Sequence, residues 1–183
     1  LEPYERILTE DTLSDRQQRI LDLLDESGGR LHRLLTQLTL CEQTAGDLMQ
    51  ELFIKLAGSR TVDGIENLYA FAWRSAVNLA FDWRRRHRQH LPLDESVVVL
   101  DESPAVLDGM IEAEQLDAVL NEVSKLNELA RNTVIMRYIE QQSYRQIAGT
   151  LGKNPDHVRS LCSKAIAVLR MRLSDPGKEA ENV

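Results

Sequence analysis

Asp156, Arg159, Ser160, Ser163, Lys164 and Arg170 recur at helical spacing near the end of this chain, so one helix face would present them together. Charged and hydroxyl side chains of this kind reach phosphate oxygens and base edges when such a helix lies in a major groove. The face behind them is apolar: Val158, Cys162, Ala165 and Leu169 follow at steps of four, three and four residues, the stripe of a packed helix. The residues just upstream must set the angle of that helix. Ser143 followed by Gln146 spells a capping box that starts a short helix with Ile147, Ala148 and Leu151 on its apolar side, and Gly152 ends it. Asn154 then offers an N-cap oxygen, Pro155 fills a position that needs no N–H, and Asp156 suits the positive end of the second helix. Two short helices, a tight turn and a polar outer face make a helix-turn-helix; a plain helical hairpin with a solvated face is the alternative.

The formal net charge of -7 over 183 residues looks wrong for a nucleic-acid binder until it is resolved along the chain. From Trp73 to His90 five arginines (Arg74, Arg84, Arg85, Arg86 and Arg88) face Asp82 alone. From Arg131 to Arg172 eight basic residues face two acidic ones, while between Pro92 and Glu128 ten acidic residues face only Lys125. The order is therefore basic, acidic, basic.

Composition excludes several classes. With 43% apolar and 28% charged residues the chain is ordinary for a globular protein of one medium domain or two small ones. No apolar run approaches the roughly 20 residues that span a bilayer, and no signal peptide opens the sequence, so a cytoplasmic location without membrane insertion is expected. Cys41 and Cys162 lie far apart and His32, His87, His90 and His157 are scattered, which gives neither a disulfide framework nor a zinc spacing. There is no Ser/His/Asp set, glycine-rich phosphate loop or HExxH. The expectation is a protein without cofactor or metal that is not an enzyme.

The positioning elements read as helices throughout, with apolar residues at three-and-four spacing over 15–26, 30–40, 43–57, 66–88, 112–123, 127–140, 143–151 and 155–172. Ser27-Gly28-Gly29 is expected to break the first two, and Gly58 to Gly64 to form a loop. The acidic stretch from His90 to Asp108, with Pro92 and Pro104, reads as an extended linker. The expected fold class is all-α: a helical domain over 1–90, a flexible acidic linker over 91–111, a helix-turn-helix domain over 112–173, and a disordered tail over 174–183.

These residues carry a family resemblance. Ala45 to Phe53, AGDLMQELF, is similar to the A-E-D-L-V-Q-E-x-F helix of extracytoplasmic-function (ECF) sigma factors, the minimal RNA polymerase sigma subunits that keep only regions 2 and 4. Leu68 to Arg85 is similar to that family's L-x-x-W-L-x-x-I-A-x-N-L-x-x-D-x-x-R helix, and Leu126 to Ala165 to its region 4 pattern around S-Y-x-E-I-A-x-x-L-G. Three motifs in order, at the family's spacing and around an acidic linker, are a specific signal.

The resemblance implies roles. Asp47, Gln50 and Glu51 match the region 2 surface that docks on the beta-prime clamp of core RNA polymerase, with Leu48, Leu52, Phe53 and Leu56 as core. The helix from Leu68 to Arg88 and the loop before it, Gly58 to Asn67, match the part that reads the minus-10 element and captures an unstacked base. There Asn78 and Asp82 would meet a base edge while Arg84, Arg85 and Arg86 hold phosphates. Trp73 is expected in the core. Asp156, His157, Arg159, Ser160, Ser163 and Lys164 match the surface that enters the minus-35 major groove. The implied partners are core RNA polymerase (beta-prime clamp and beta flap) and promoter DNA, with an anti-sigma factor as a further candidate. The implied function is promoter recognition, DNA melting and transcription initiation.

The chain also departs from the family pattern. Leu40-Cys41 replaces a usual Gly-Asp, Gly46 a glutamate, Asn127 a proline, Asp156-His157 a Gly-Thr and Leu161 an arginine. Two rival readings are a helix-turn-helix regulator whose N-terminal domain senses or dimerises, and a sigma-like adaptor that binds only protein. Co-purification with core polymerase discriminates the first from a sigma factor, and promoter-dependent transcription the second.

Overall fold

In the computed structural model residues 15–88 and 104–174 are described, and among them there is no strand. Seven α-helices account for most of these residues: α1 (Asp15–Thr39), α2 (Glu42–Gly58), α3 (Leu68–Arg88), α4 (Pro104–Ser124), α5 (Glu128–Val134), α6 (Tyr144–Leu151) and α7 (Pro155–Ser174). A 3-10 turn, Arg60–Gly64, lies between α2 and α3, and α5 runs on into a π-helical turn, Ile135–Ile139. The all-α class holds. The core of the acidic segment and the tail beyond Ser174 lie outside the described residues.

The expected break at Ser27-Gly28-Gly29 is absent, and α1 is one helix of 25 residues. Each glycine costs about 1 kcal/mol against alanine in a helix interior. Against that, α1 buries Ile20 and Leu23 before the glycines and Leu31, Leu34, Leu35 and Leu38 after them, and each large aliphatic side chain removed from water contributes about 1.5–3 kcal/mol. Packing therefore outweighs propensity. α4 already begins at Pro104, inside the stretch expected to be extended.

The N-terminal group is a three-helix arrangement in which α1, α2 and α3 pack on one another around Leu31, Leu35, Leu52, Leu56, Trp73 and Val77. Trp73 is fully buried, as expected, whereas Phe53 is exposed rather than core. The reason is phase: Leu48, Leu52 and Leu56 already fill the buried stripe of α2, and Phe53 falls outside it beside Ile54. In the second group α4, α5 and α6 pack on α7, closing over Ile135, Met136, Ile147 and Val158.

The departures at Leu40-Cys41 have a visible cost. Leu40 adopts φ 59, in the left-handed region that a glycine occupies freely, and Cys41 caps α2 without a side-chain hydrogen bond. At Asn127 the departure is benign, because its side chain accepts from the Ala130 N–H at 3.0 Å and caps α5.

Candidate nucleic-acid interface

The helix-turn-helix forms as its local sequence dictates. Ser143 and Gln146 cap α6 reciprocally, and Gly152 ends it at φ 62. Asn154 Oδ1 then accepts from the Asp156 N–H at 2.8 Å to start α7. Val158, Cys162, Ala165 and Leu169 are all buried, which turns the opposite face of α7 outward. Asp156, His157, Arg159, Ser160, Ser163 and Lys164 are exposed on it.

One contact on this surface lies beyond sequence reasoning. The Tyr144 ring of α6 has the guanidinium of Arg137 at 5.0 Å and that of Arg159 at 5.6 Å from its centroid. Arg137 is further tied by donating to the Gln142 carbonyl at 2.9 Å. An arginine resting on an aromatic face loses less freedom on binding, so Arg159 is partly preorganised. Spacing alone carried no signal for this, because the two residues belong to different helices.

On α2, Asp47, Gln50 and Glu51 are exposed and share one face. Phe53 and Ile54 add an exposed apolar shoulder, and with Leu24, Met49 and Gln50 they line a shallow groove between α1 and α2.

The residues of α3 differ strongly from one another. Arg85 and Arg86 are exposed, and Arg85 pairs with Asp82 at 2.8 Å. Asn78 is half-buried and its Oδ1 accepts from Arg131 of α5 at 2.8 Å, while the Arg131 guanidinium lies 5.1 Å from the Phe81 ring centroid. Burial works against the Arg131 charge, and Glu128 and Asp82 favour it. Arg84 is only 5% exposed. It donates to the Leu38 carbonyl at 3.1 Å, to Asp117 Oδ1 at 2.5 Å and to Asn121 Oδ1 at 3.2 Å. Arg84 thus joins α1, α3 and α4, and its guanidinium does not face solvent as those of Arg85 and Arg86 do.

The loop before α3 is also pinned. Arg19 of α1 donates to the carbonyls of Val62, Asp63 and Ile65, and Arg16 grips the Asp63 carboxylate with two nitrogens. Asn67 caps α3 by accepting from the Ala70 N–H at 2.9 Å.

Among the described residues no group of histidine, cysteine and acidic side chains is disposed to hold a metal ion, and no helix is long and apolar enough to cross a membrane.

Both halves of the chain have known relatives. Residues 23–90 match the family model described as Sigma-70 region 2, and residues 116–169 the one described as Sigma-70, region 4. The chain is 30% identical over 132 residues to the RNA polymerase sigma-E factor of Streptomyces coelicolor, covering 70% of this chain and 71% of that protein. It is 31% identical over 135 residues to "Probable RNA polymerase sigma factor RfaY" of Xanthomonas campestris pv. campestris, covering 69% of this chain but only 33% of that longer protein. In fold it is similar to CnrH, solved in complex with the cytosolic domain of CnrY, with a TM-score of 0.50 at 17% identity over 90% of this chain and 93% of that one.

Proposed function

The chain belongs to the sigma-70 family, in its extracytoplasmic-function form, and from that premise we propose that it acts as a promoter-specificity subunit of bacterial RNA polymerase. The observation that carries this is the pairing, in one chain, of a region 2 bundle with an exposed acidic face on α2 and a region 4 helix-turn-helix with an exposed polar face on α7. Asp47, Gln50 and Glu51 dock on the clamp of core polymerase. The loop before α3, with Asn78, Asp82, Arg85 and Arg86, takes the minus-10 element, where an unstacked base meets amide and carboxylate groups and the arginines hold phosphates. Asp156, His157, Arg159, Ser160, Ser163 and Lys164 enter the minus-35 major groove. The protein works in the cytoplasm by binding and positioning, with no chemistry of its own. An anti-sigma protein is a further partner in this reading.

Arg131 of α5 occupies Asn78 Oδ1, so a base that takes that lone pair displaces Arg131 from it. In this reading, binding the minus-10 element exchanges the Arg131 contact on Asn78 Oδ1 for a base. Arg84 stays with α1 in this reading and is a structural link rather than a phosphate contact.

The two cations of α7 separate specifying from positioning roles. Arg159, in the second turn and steadied by Tyr144, reads a base; Lys164, nearly three turns in, holds a phosphate. Selection of minus-35 sequences with variant holoenzymes tests this. Arg159→Ala is expected to lose about 1–3 kcal/mol of discrimination at one base position. Lys164→Ala is expected to weaken all sequences alike and to flatten the salt dependence by roughly one unit of slope. An unchanged base preference for Arg159→Ala with an altered one for Lys164→Ala would reverse the assignment.

A further inference from the structure

We propose that Arg16 and Arg19, on the first turns of α1, are positioning residues that hold the loop before α3 in the shape that captures the unstacked minus-10 base. The proposal rests on the reading of that loop as the base-capturing part of region 2. Both arginines lie before residue 23, where the match to the region 2 family model begins, so the family match says nothing about them.

The loop from Ser59 to Asn67 has little apolar substance of its own. Val62 is its one fully buried side chain, while Arg60, Thr61, Gly64, Glu66 and Asn67 are exposed. A loop anchored at a single side chain samples many shapes, and a surface that must grip one extruded base needs one of them held in advance. Arg19 supplies that restraint. Its guanidinium spans three carbonyls, donating to Val62 O at 2.9 Å, Asp63 O at 3.3 Å and Ile65 O at 2.7 Å. The bonds to Val62 and Ile65 are partly shielded from water, and one rigid fork fixes the second half of the 3-10 turn relative to the residue that follows it. Arg16 adds a second clamp one turn earlier, with Nε 2.7 Å from Asp63 Oδ1 and Nη2 on Oδ2. Beside Arg16 the Asp63 carboxyl stays below the usual carboxylate range, so the pair is ionised at neutral pH. With its inner side tied to α1, the loop turns Arg60, Thr61 and Glu66 outward, and these side chains are left to face the base.

The test uses holoenzyme reconstituted from the full chain and purified core polymerase, on promoters selected by the wild type. Open-complex formation is followed by permanganate reactivity of unpaired thymines, and base preference is read separately in the two promoter elements. Arg19→Ala is expected to lower open-complex formation about tenfold, the scale of losing charge-assisted hydrogen bonds, and to relax base preference in the minus-10 element only. Competition for core and minus-35 preference stay as in the wild type. Arg16→Asp and Asp63→Arg each reduce opening, and the two combined recover it, which a general loss of packing would not do. Wild-type minus-10 preference in Arg19→Ala, or a swapped pair no better than its single members, overturns the proposal. A wild-type holoenzyme that opens no promoter would instead overturn the proposed function itself.

Discussion

Reversing Asp47 and Glu51 to arginine together is expected to lower the affinity for core RNA polymerase by about 100-fold: in the proposed docking, two favourable charge contacts become like-charge juxtapositions that cost several kcal/mol across an interface. Both side chains are exposed and the buried stripe of α2, Leu48, Leu52 and Leu56, is untouched. The unfolding free energy should therefore change by no more than about 0.5 kcal/mol. The measurement is competition with an unmodified sigma subunit for core at several salt concentrations, with the thermal midpoint as control. The wild type should lose affinity as salt rises, and the double variant should show little further loss. Phe53 and Ile54 are exposed beside the acidic face and offer apolar surface that salt does not screen, so some binding should persist. Undiminished competition by the double variant would show that this face is merely solvated.

The second large effect concerns stability. Arg84→Ala is expected to cost about 3 kcal/mol, at the lower end of what removing one partner of a buried charged network costs, because Asp117 is half-exposed and can turn to water. Leu38 O and the Asn121 amide lose their cation in a closed setting. For a chain of this size that corresponds to a fall of about 6–12 °C in the unfolding midpoint. Arg84→Lys should recover only part of it, because a single ammonium cannot reach both the α1 carbonyl and the α4 carboxylate that the planar fork bridges. Arg85→Ala is the control: its side chain is exposed and its partner Asp82 lies three residues away, so its loss should fall within about 0.5 kcal/mol. Equal midpoints for Arg84→Ala and Arg85→Ala would contradict the role given to Arg84.

How much of this was legible in the sequence depends on the range of each interaction. The capping box at Ser143 and Gln146, the left-handed Gly152, the Asn154 cap and the stripe from Val158 to Leu169 are all set within about two turns of chain, and each is present as expected. The continuity of α1 through Gly28 and Gly29 was not legible, because the residues that hold it lie on α2 and α3. Arg84 stands in a run of three arginines that look alike in sequence. What sets it apart is helical phase together with Asp117 and Asn121, 33 and 37 residues further on. Likewise Arg16 and Arg19 read as ordinary charges on an amphipathic helix until the loop 43 to 47 residues away folds back onto them. The motif position of Phe53 implies core, while the spacing of Leu48, Leu52 and Leu56 already defines the buried stripe without it.

Run-off transcription from a library of linear promoters with purified core polymerase, comparing core alone with core plus the full chain, tests the promoter-specificity role most directly. Transcripts are expected to start at defined sites only when the chain is present, and the recovered promoters should share two elements at fixed spacing. Changing the upstream element should abolish its dependence on Arg159, and changing the downstream one should abolish permanganate-reactive opening. A chain that binds core yet yields no start-specific transcript, or one that protects both elements in duplex DNA without core, would contradict the assignment.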